Sequence, residues 1–255
     1  MIKVYVGDNR ETLKNLADES VHTCITSPPY WGLRDYGEDE QLGLEETPEK
    51  FVENLVEVFR EVKRVLRDDG TVWLNLGDTY SSHKDCKSTS QTLAKGMQSE
   101  VAHVIDKGKS VTRDTKKLKE AGLKNKDLVG IPWRVAFALQ ADGWYLRQDI
   151  IWHKPNPMPE SVKDRCTKAH EYIFLLSKSP KYYFDNEAIK EDSVTSAEQQ
   201  IKKRNKSYRK NAEGNEEKYL KQNFANDKYS NEVFKKRNKR SVWTVTTKPY
   251  KEAHF

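Results

Sequence analysis

The sequence predicts an α/β fold: a doubly wound, mostly parallel sheet carrying an antiparallel hairpin at its edge. Three observations lead there. Short apolar strands alternate with helical patterns through residues 2–76. The run TVWLNL at 71–76 is largely apolar, the composition of a strand covered on both faces. Two longer strands, near 145–152 and 171–176, are separated only by a proline-rich loop, as an antiparallel edge pair would be.

Taken in order, IKVYV at 2–6 reads as a strand, and Gly7-Asp8-Asn9 turns into a short helix carrying Leu13 and Leu16. VHTCIT at 21–26 is the next strand and stops at Ser27-Pro28-Pro29. Thr47 and Pro48 form a helix cap and first-turn pair. The helix they open places Phe51, Leu55, Val58, Val62, Val65 and Leu66 at spacings of three and four, with Gly70 as its expected end. Residues 82–127 break the pattern, being rich in Lys, Ser and Thr. Order resumes with a helix at 131–142 closed by Gly143, followed by the two long strands. No internal repeat is present.

The chain of 255 residues suffices for one large domain and a smaller appendage. The division expected is a core at 1–192 containing the insert 82–127, a separate region at 193–240, and a closing segment at 241–255. The apolar share of 36%, the charged share of 33% and the lack of any 18-residue apolar run argue against a membrane span. MIKVYVGDNRE carries no basic leader before an apolar stretch, so no secretory signal is expected. Cys24, Cys86 and Cys166 form no CxxC pair, which suits ordinary thiols in a reducing compartment.

The net charge of +6 is unevenly spread. Residues 193–240 hold fourteen Lys/Arg against six Asp/Glu, and residues 82–127 hold eleven against six, leaving the remainder acidic. Two basic inserts on an acidic core fit a polyanionic partner, and they fit solvated loops equally well.

The chemistry-bearing feature is Ser27-Pro28-Pro29-Tyr30 at the end of a buried strand. Each proline fixes its own φ and restricts the residue before it, so the turn is stiff. The carboxyl end of a parallel strand is where open α/β sheets hold ligands. There the Ser27 side chain and the Pro28 carbonyl would be two fixed acceptors, and Tyr30 a flat aromatic face. Such a set suits an amino group on a planar base. That nitrogen's lone pair is delocalised into the ring, and acceptors out of the base plane would favour a pyramidal nitrogen. Ser27 would then be an acceptor, and no Ser-His-Asp arrangement accompanies it.

TSPPYWGLRDYG resembles the signature of the β-group amino-methyltransferases, which methylate cytosine N4 or adenine N6 in DNA. GDNRETLKNL, FVENLVEVFREVKRVLRDDGTVWLNLGDTY and IIWHKPNPMPESVKDRCTKAHEYIFLLSKSPKYYFD are similar to the same family, so the resemblance covers roughly 1–80, 128–190 and 241–255. It implies the S-adenosylmethionine-dependent methyltransferase fold, with S-adenosylmethionine as donor, no metal, and double-stranded DNA as partner. It further implies a bacterial or phage cytoplasmic setting of the restriction–modification kind. Ser27, Pro28 and Tyr30 match the base-amine site, with Pro29 as support and Ser27 also beside the cofactor. Asp8 matches an acid expected to bond the cofactor's adenine, although a turn aspartate capping the next helix reads the same way. Trp31 matches pocket wall or core packing; Asp78 matches an active-site neighbour or a loop cap. Asn156, Met158, Arg165 and His170 match the segment flanking the flipped base, and His170 alone would also read as structural.

In that family the target-recognition region follows the catalytic part, where 193–240 lies, so Lys202, Lys203, Arg204, Arg209, Lys210, Lys235, Lys236 and Arg237 are the expected DNA contacts. The family pattern also carries an FxGxG cofactor loop, and none occurs here. SVWTVTTKPYKEAHF resembles the segment just before that loop, which assigns Lys248, His254 and Phe255 to the cofactor. The sheet is accordingly expected to be incomplete at its C-terminal end, with cofactor binding weak unless a second chain or further segment completes it. A serine before Pro-Pro-Tyr is associated in the family more with cytosine N4, an aspartate with adenine N6. The adenine enzyme, an inactive DNA-binding remnant, and a glutamine or RNA methylase are the other readings.

Overall fold

The computed structural model describes residues 2–38, 40–81, 115–193 and 236–247. They fall into two compact units, one formed by 1–183 with 241–255 and a smaller one by 184–240.

In the larger unit, α1 (Asn9–Thr12) is capped by Asp8, whose side chain accepts from the Arg10 amide, and continues into a 3₁₀ turn at Leu13–Asn15. β1 (Val21–Thr26) then runs parallel to β2 (Leu66–Leu76). Between them lies α2 (Pro48–Val65), opened by the Thr47 hydroxyl accepting from the Lys50 amide at 3.2 Å. Phe51, Leu55, Val58, Phe59, Val62 and Val65 form its buried stripe. After the short α3 (Thr115–Glu120) and α4 (Ile131–Ala141) come β3 (Tyr145–His153) and β4 (His170–Ser177). β7 (Val242–Thr244) closes the sheet, whose order is β1-β2-β4-β3-β7. In the smaller unit, β5 (Glu191–Asp192) pairs antiparallel with β6 (Lys236–Arg237), held by Arg237 Nε to Glu191 Oε1 at 3.0 Å.

Val72, Leu74 and Leu76 of β2 and Phe174 and Leu176 of β4 turn one face of the sheet into the core. Phe51, Leu55 and Phe59 of α2 and Ile131, Val135 and Leu139 of α4 close over that core. Among the described residues no helix is long and apolar enough to cross a membrane.

Several expectations are corrected. IKVYV at 2–6 forms no strand; Ile2, Val4 and Val6 are 93%, 80% and 91% exposed, because this segment has no neighbouring strand among the described residues to pair with. The sheet is mixed, with β1–β2 and β3–β7 parallel and β2–β4 and β3–β4 antiparallel. The β3–β4 pair is therefore not an edge hairpin: β4 inserts beside β2, and β7 covers the outer side of β3. Gly70 does not end α2, which stops at Val65. It lies in β2 where the register slips from Val21↔Leu66 to Thr23↔Thr71, and a Cβ there would sit 2.6 Å from the Leu66 Cγ. Leu118 and Leu123, which fall within 82–127, are buried in the core.

Candidate active site

The chain leaves β1 through Ser27-Pro28-Pro29-Tyr30, so the turn stands at the carboxyl end of a parallel strand; that strand is not the buried one expected, since β1 ends the sheet order and Ile25 is exposed. Its shape is fastened from outside. The Leu33 amide donates to the Tyr30 carbonyl at 3.2 Å, and the Gly32 amide to the Gly43 carbonyl at 2.6 Å. Gly43 has φ +97°, and a Cβ on it would come within 3.0 Å of the Tyr30 carbonyl oxygen, so only glycine can back this turn.

The Tyr30 ring lies against Gly77 at the end of β2; a Cβ at Gly77 would reach 2.4 Å from the ring Cε2. Its hydroxyl is half-buried, 2.9 Å from both Asn75 Oδ1 and Glu171 Oε2. Ser27 Oγ donates to the same hydroxyl at 3.3 Å. Asn75 Nδ2 donates to the Tyr172 carbonyl at 3.0 Å, which fixes the amide with its oxygen toward Tyr30. Lys154 Nζ bonds Glu171 Oε1 and sits 4.3 Å over the Trp152 ring. Burial holds the Tyr30 phenol above its ordinary pKa; the Ser27 hydrogen bond works against this and the Glu171 carboxylate with it. Tyr30 thus presents less a free stacking face than a neutral hydroxyl wired into β2 and β4.

Trp31, one of the expected pocket residues, is 2% exposed, and its Nε1 donates to the Glu45 carbonyl at 2.9 Å. It packs in the core cluster behind the turn, as the core-packing reading expects. Asp78 acts as a cap across the fold. Its Oδ1 accepts from the amides of Thr79, Gly130 and Ile131 at 2.9, 3.0 and 3.1 Å, gathering the first donors of α4, whose own cap position is a glycine. Asp78→Ala is expected to lower stability by roughly 1–3 kcal/mol by leaving those donors unpaired, while Asp78→Asn keeps the acceptor and most of the stability. Urea unfolding of the two variants checks this, and equal losses would refute the capping role.

The remaining predicted residues disperse. Asp8 bonds Arg10 through both carboxylate oxygens, and Arg10 holds its pKa below the usual carboxylate range. Asn156 spends both ends of its amide on the Thr247 backbone, at 2.9 and 3.1 Å, so its amide is occupied in seating the strand that follows the smaller unit. Met158 is exposed. Arg165 pairs with Glu160 and stacks 4.0 Å over the Tyr80 ring. His170 meets Tyr172 edge-on, and burial, then Lys168 and His153, push its pKa down. Lys236 and Arg237 lie on β6, with Arg237 paired to Glu191. Lys202, Lys203, Arg204, Arg209, Lys210, Lys235, Lys248, His254 and Phe255 lie outside the described residues.

Asn75, Gly77, Lys154 and Glu171 gather around Tyr30 and, with Lys168, were not among the residues expected from the motifs. Two left a signal: Asn75 interrupts TVWLNL, and Glu171 opens the apolar strand EYIFLL. Lys168 left none; burial lowers its pKa most, with Asp78, Glu171 and Glu160 raising it in opposition.

On the other side of Pro28, a cleft of about 250 Å³ runs between α1 and α2. Asn9, Thr12 and Thr26 give it polar groups, and Leu13, Leu16 and Val58 an apolar wall.

With this geometry in place, the comparisons with known proteins are specific. The family model described as DNA methylase matches residues 21–254. The type II methyltransferase M.Cfr9I of Citrobacter freundii is 44% identical over 99% of this chain and 67% of its own length. M.SmaI of Serratia marcescens is 42% identical over 99% of this chain and 70% of its own. Among solved structures, the PvuII DNA methyltransferase (cytosine-N4-specific) shares 17% identity and a TM-score of 0.46 over 71% of this chain and 51% of that one.

Proposed function

The chain belongs to the DNA methylase family, and from that premise we propose that it transfers a methyl group from S-adenosylmethionine to the exocyclic N4 amine of a cytosine flipped out of duplex DNA. The observation that carries the reading is the Ser27 hydroxyl. It donates its proton to Tyr30, which leaves the Oγ lone pairs for an incoming amine. The Pro28 carbonyl beside it supplies the second acceptor on a backbone stiffened by two prolines. A flipped base is required because the amine is out of reach inside the duplex.

The donor supplies an electrophilic methyl group on a sulfonium. The cleft beside Pro28 suits part of such a molecule. Leu13, Leu16 and Val58 cover an apolar portion, while Asn9, Thr12 and Thr26 offer hydrogen bonds. At about 250 Å³ it is smaller than the roughly 300–1,000 Å³ of complete small-molecule sites. Those residues bind and orient the donor; Ser27 and Pro28 orient the acceptor. The smaller unit, with Lys236 on its short hairpin and the basic run of 193–240, would track the phosphates, so binding weakens steeply as salt rises.

The relatives' names as type II methyltransferases support a restriction–modification setting. The adenine-N6 enzyme is the second reading, since Ser27 and the Pro28 carbonyl would also accept an adenine amine. Incubating the chain with S-adenosylmethionine and unmodified plasmid DNA, then digesting to nucleosides, separates the two. N4-methylcytosine is the expected product; N6-methyladenine overturns the base assignment, and no methylated nucleoside overturns the activity.

A further inference from the structure

The hydrogen bonds behind Ser27 run in one direction, and the reaction leaves a proton to be removed. Tyr30 has a single hydroxyl proton and two acceptors at 2.9 Å, Asn75 Oδ1 and Glu171 Oε2. The carboxylate, carrying charge, is the stronger acceptor of the two. Ser27 donates into the Tyr30 oxygen at 3.3 Å. Lys154 secures the far carboxylate oxygen, and the Glu171 side chain retains 18% exposure, a route to solvent. The order is therefore Ser27 to Tyr30 to Glu171, from strand end to strand start across β1, β2 and β4.

Resting on the methyl-transfer reading above, we propose that Ser27, Tyr30 and Glu171 form the exit relay for the proton released when the base amine is methylated. Methylation leaves the nitrogen positively charged with one proton too many. That N–H bond breaks and a bond to Ser27 Oγ forms; the original Ser27 O–H breaks and its proton joins the Tyr30 oxygen; the original Tyr30 proton passes to Glu171 Oε2. The amine becomes neutral, both hydroxyls are restored, and Glu171 holds the proton until water takes it. The buried phenol resists ionising, so Tyr30 passes a proton on as it receives one and does not rest as phenolate. Asn75 steadies the Tyr30 hydroxyl from the side, and its orientation is set by the Tyr172 carbonyl. Glu171, Asn75 and Lys154 are positioning and relay residues that act on the base through Ser27.

Glu171→Gln tests this, because glutamine keeps an oxygen facing Tyr30 but is not basic. Single-turnover methyl transfer to unmodified plasmid DNA is compared for the wild-type chain, Glu171→Gln, Tyr30→Phe and the double variant. Each single change should slow transfer by about 100-fold, the usual reach of a positioned acid or base, with the apparent KM for S-adenosylmethionine and the affinity for DNA little changed. The double variant should be no slower than the slower single, since a broken relay cannot be broken twice. Glu171→Gln at the wild-type rate, or losses that multiply in the double variant, would overturn the relay while leaving the methylation reading standing. A wild-type chain that transfers no methyl group would remove both.

Discussion

Gly77→Ala is expected to abolish nearly all methyl transfer while leaving a folded protein. The new Cβ would sit 2.4 Å from Tyr30 Cε2 and 2.7 Å from Cδ2, closer than carbon atoms approach without displacement. Gly77 follows directly on β2, whose neighbouring residues are tied to β1 and β4, so the strand end cannot retreat far and the ring must move. Moving it draws the hydroxyl away from Asn75 and Glu171 and shifts the Ser27 acceptor that leans on it. A misplacement of about 1 Å at a reacting centre costs on the order of 100-fold in rate. Overpacking of this kind costs roughly 1–3 kcal/mol of stability. Single-turnover rates and thermal unfolding of the variant measure both; an unchanged rate would mean that Tyr30 does not position the reacting group.

Phe51→Ala is expected to have the largest effect on stability. Phe51 is fully buried in the first turn of α2 and belongs to the cluster joining that helix to β2 and α4. Truncating such a ring costs about 3–5 kcal/mol, the lost transfer energy plus that of a cavity the rigid sheet cannot close. Against a total of about 5–15 kcal/mol for a domain, this brings the protein near its unfolding threshold. Urea denaturation should show a lowered midpoint with an unchanged slope. A loss below about 1 kcal/mol would show that the core around α2 is loosely packed.

The elements that were legible in the sequence are those whose signal is local. α2 announces itself through Thr47-Pro48 and the three-and-four spacing of its apolar residues, and the structure bounds it at Pro48–Val65. β1 is seen at its expected limits, and β3 and β4 within a residue of theirs. IKVYV carries an equally good local signal and forms no strand, because a strand needs a neighbour and pairing is not written in the segment itself. Trp31 had two readings that its own neighbours could not separate; the fold buries it in the core, with its indole nitrogen on the Glu45 carbonyl.

By itself, the sequence determined the stiff Ser27-Pro28-Pro29-Tyr30 turn and the strand it ends, since proline geometry and apolar periodicity act over a few residues; the family was legible as a resemblance of the ordered motifs around them. Only the tertiary structure decided what stands behind the turn. Glu171 lies 141 residues from Tyr30 in the chain and Asn75 lies 45, yet both reach one phenolic oxygen because β1, β2 and β4 are neighbours in one sheet. A hydrogen bond depends on distance and angle in space, and sheet order sets these where sequence separation does not.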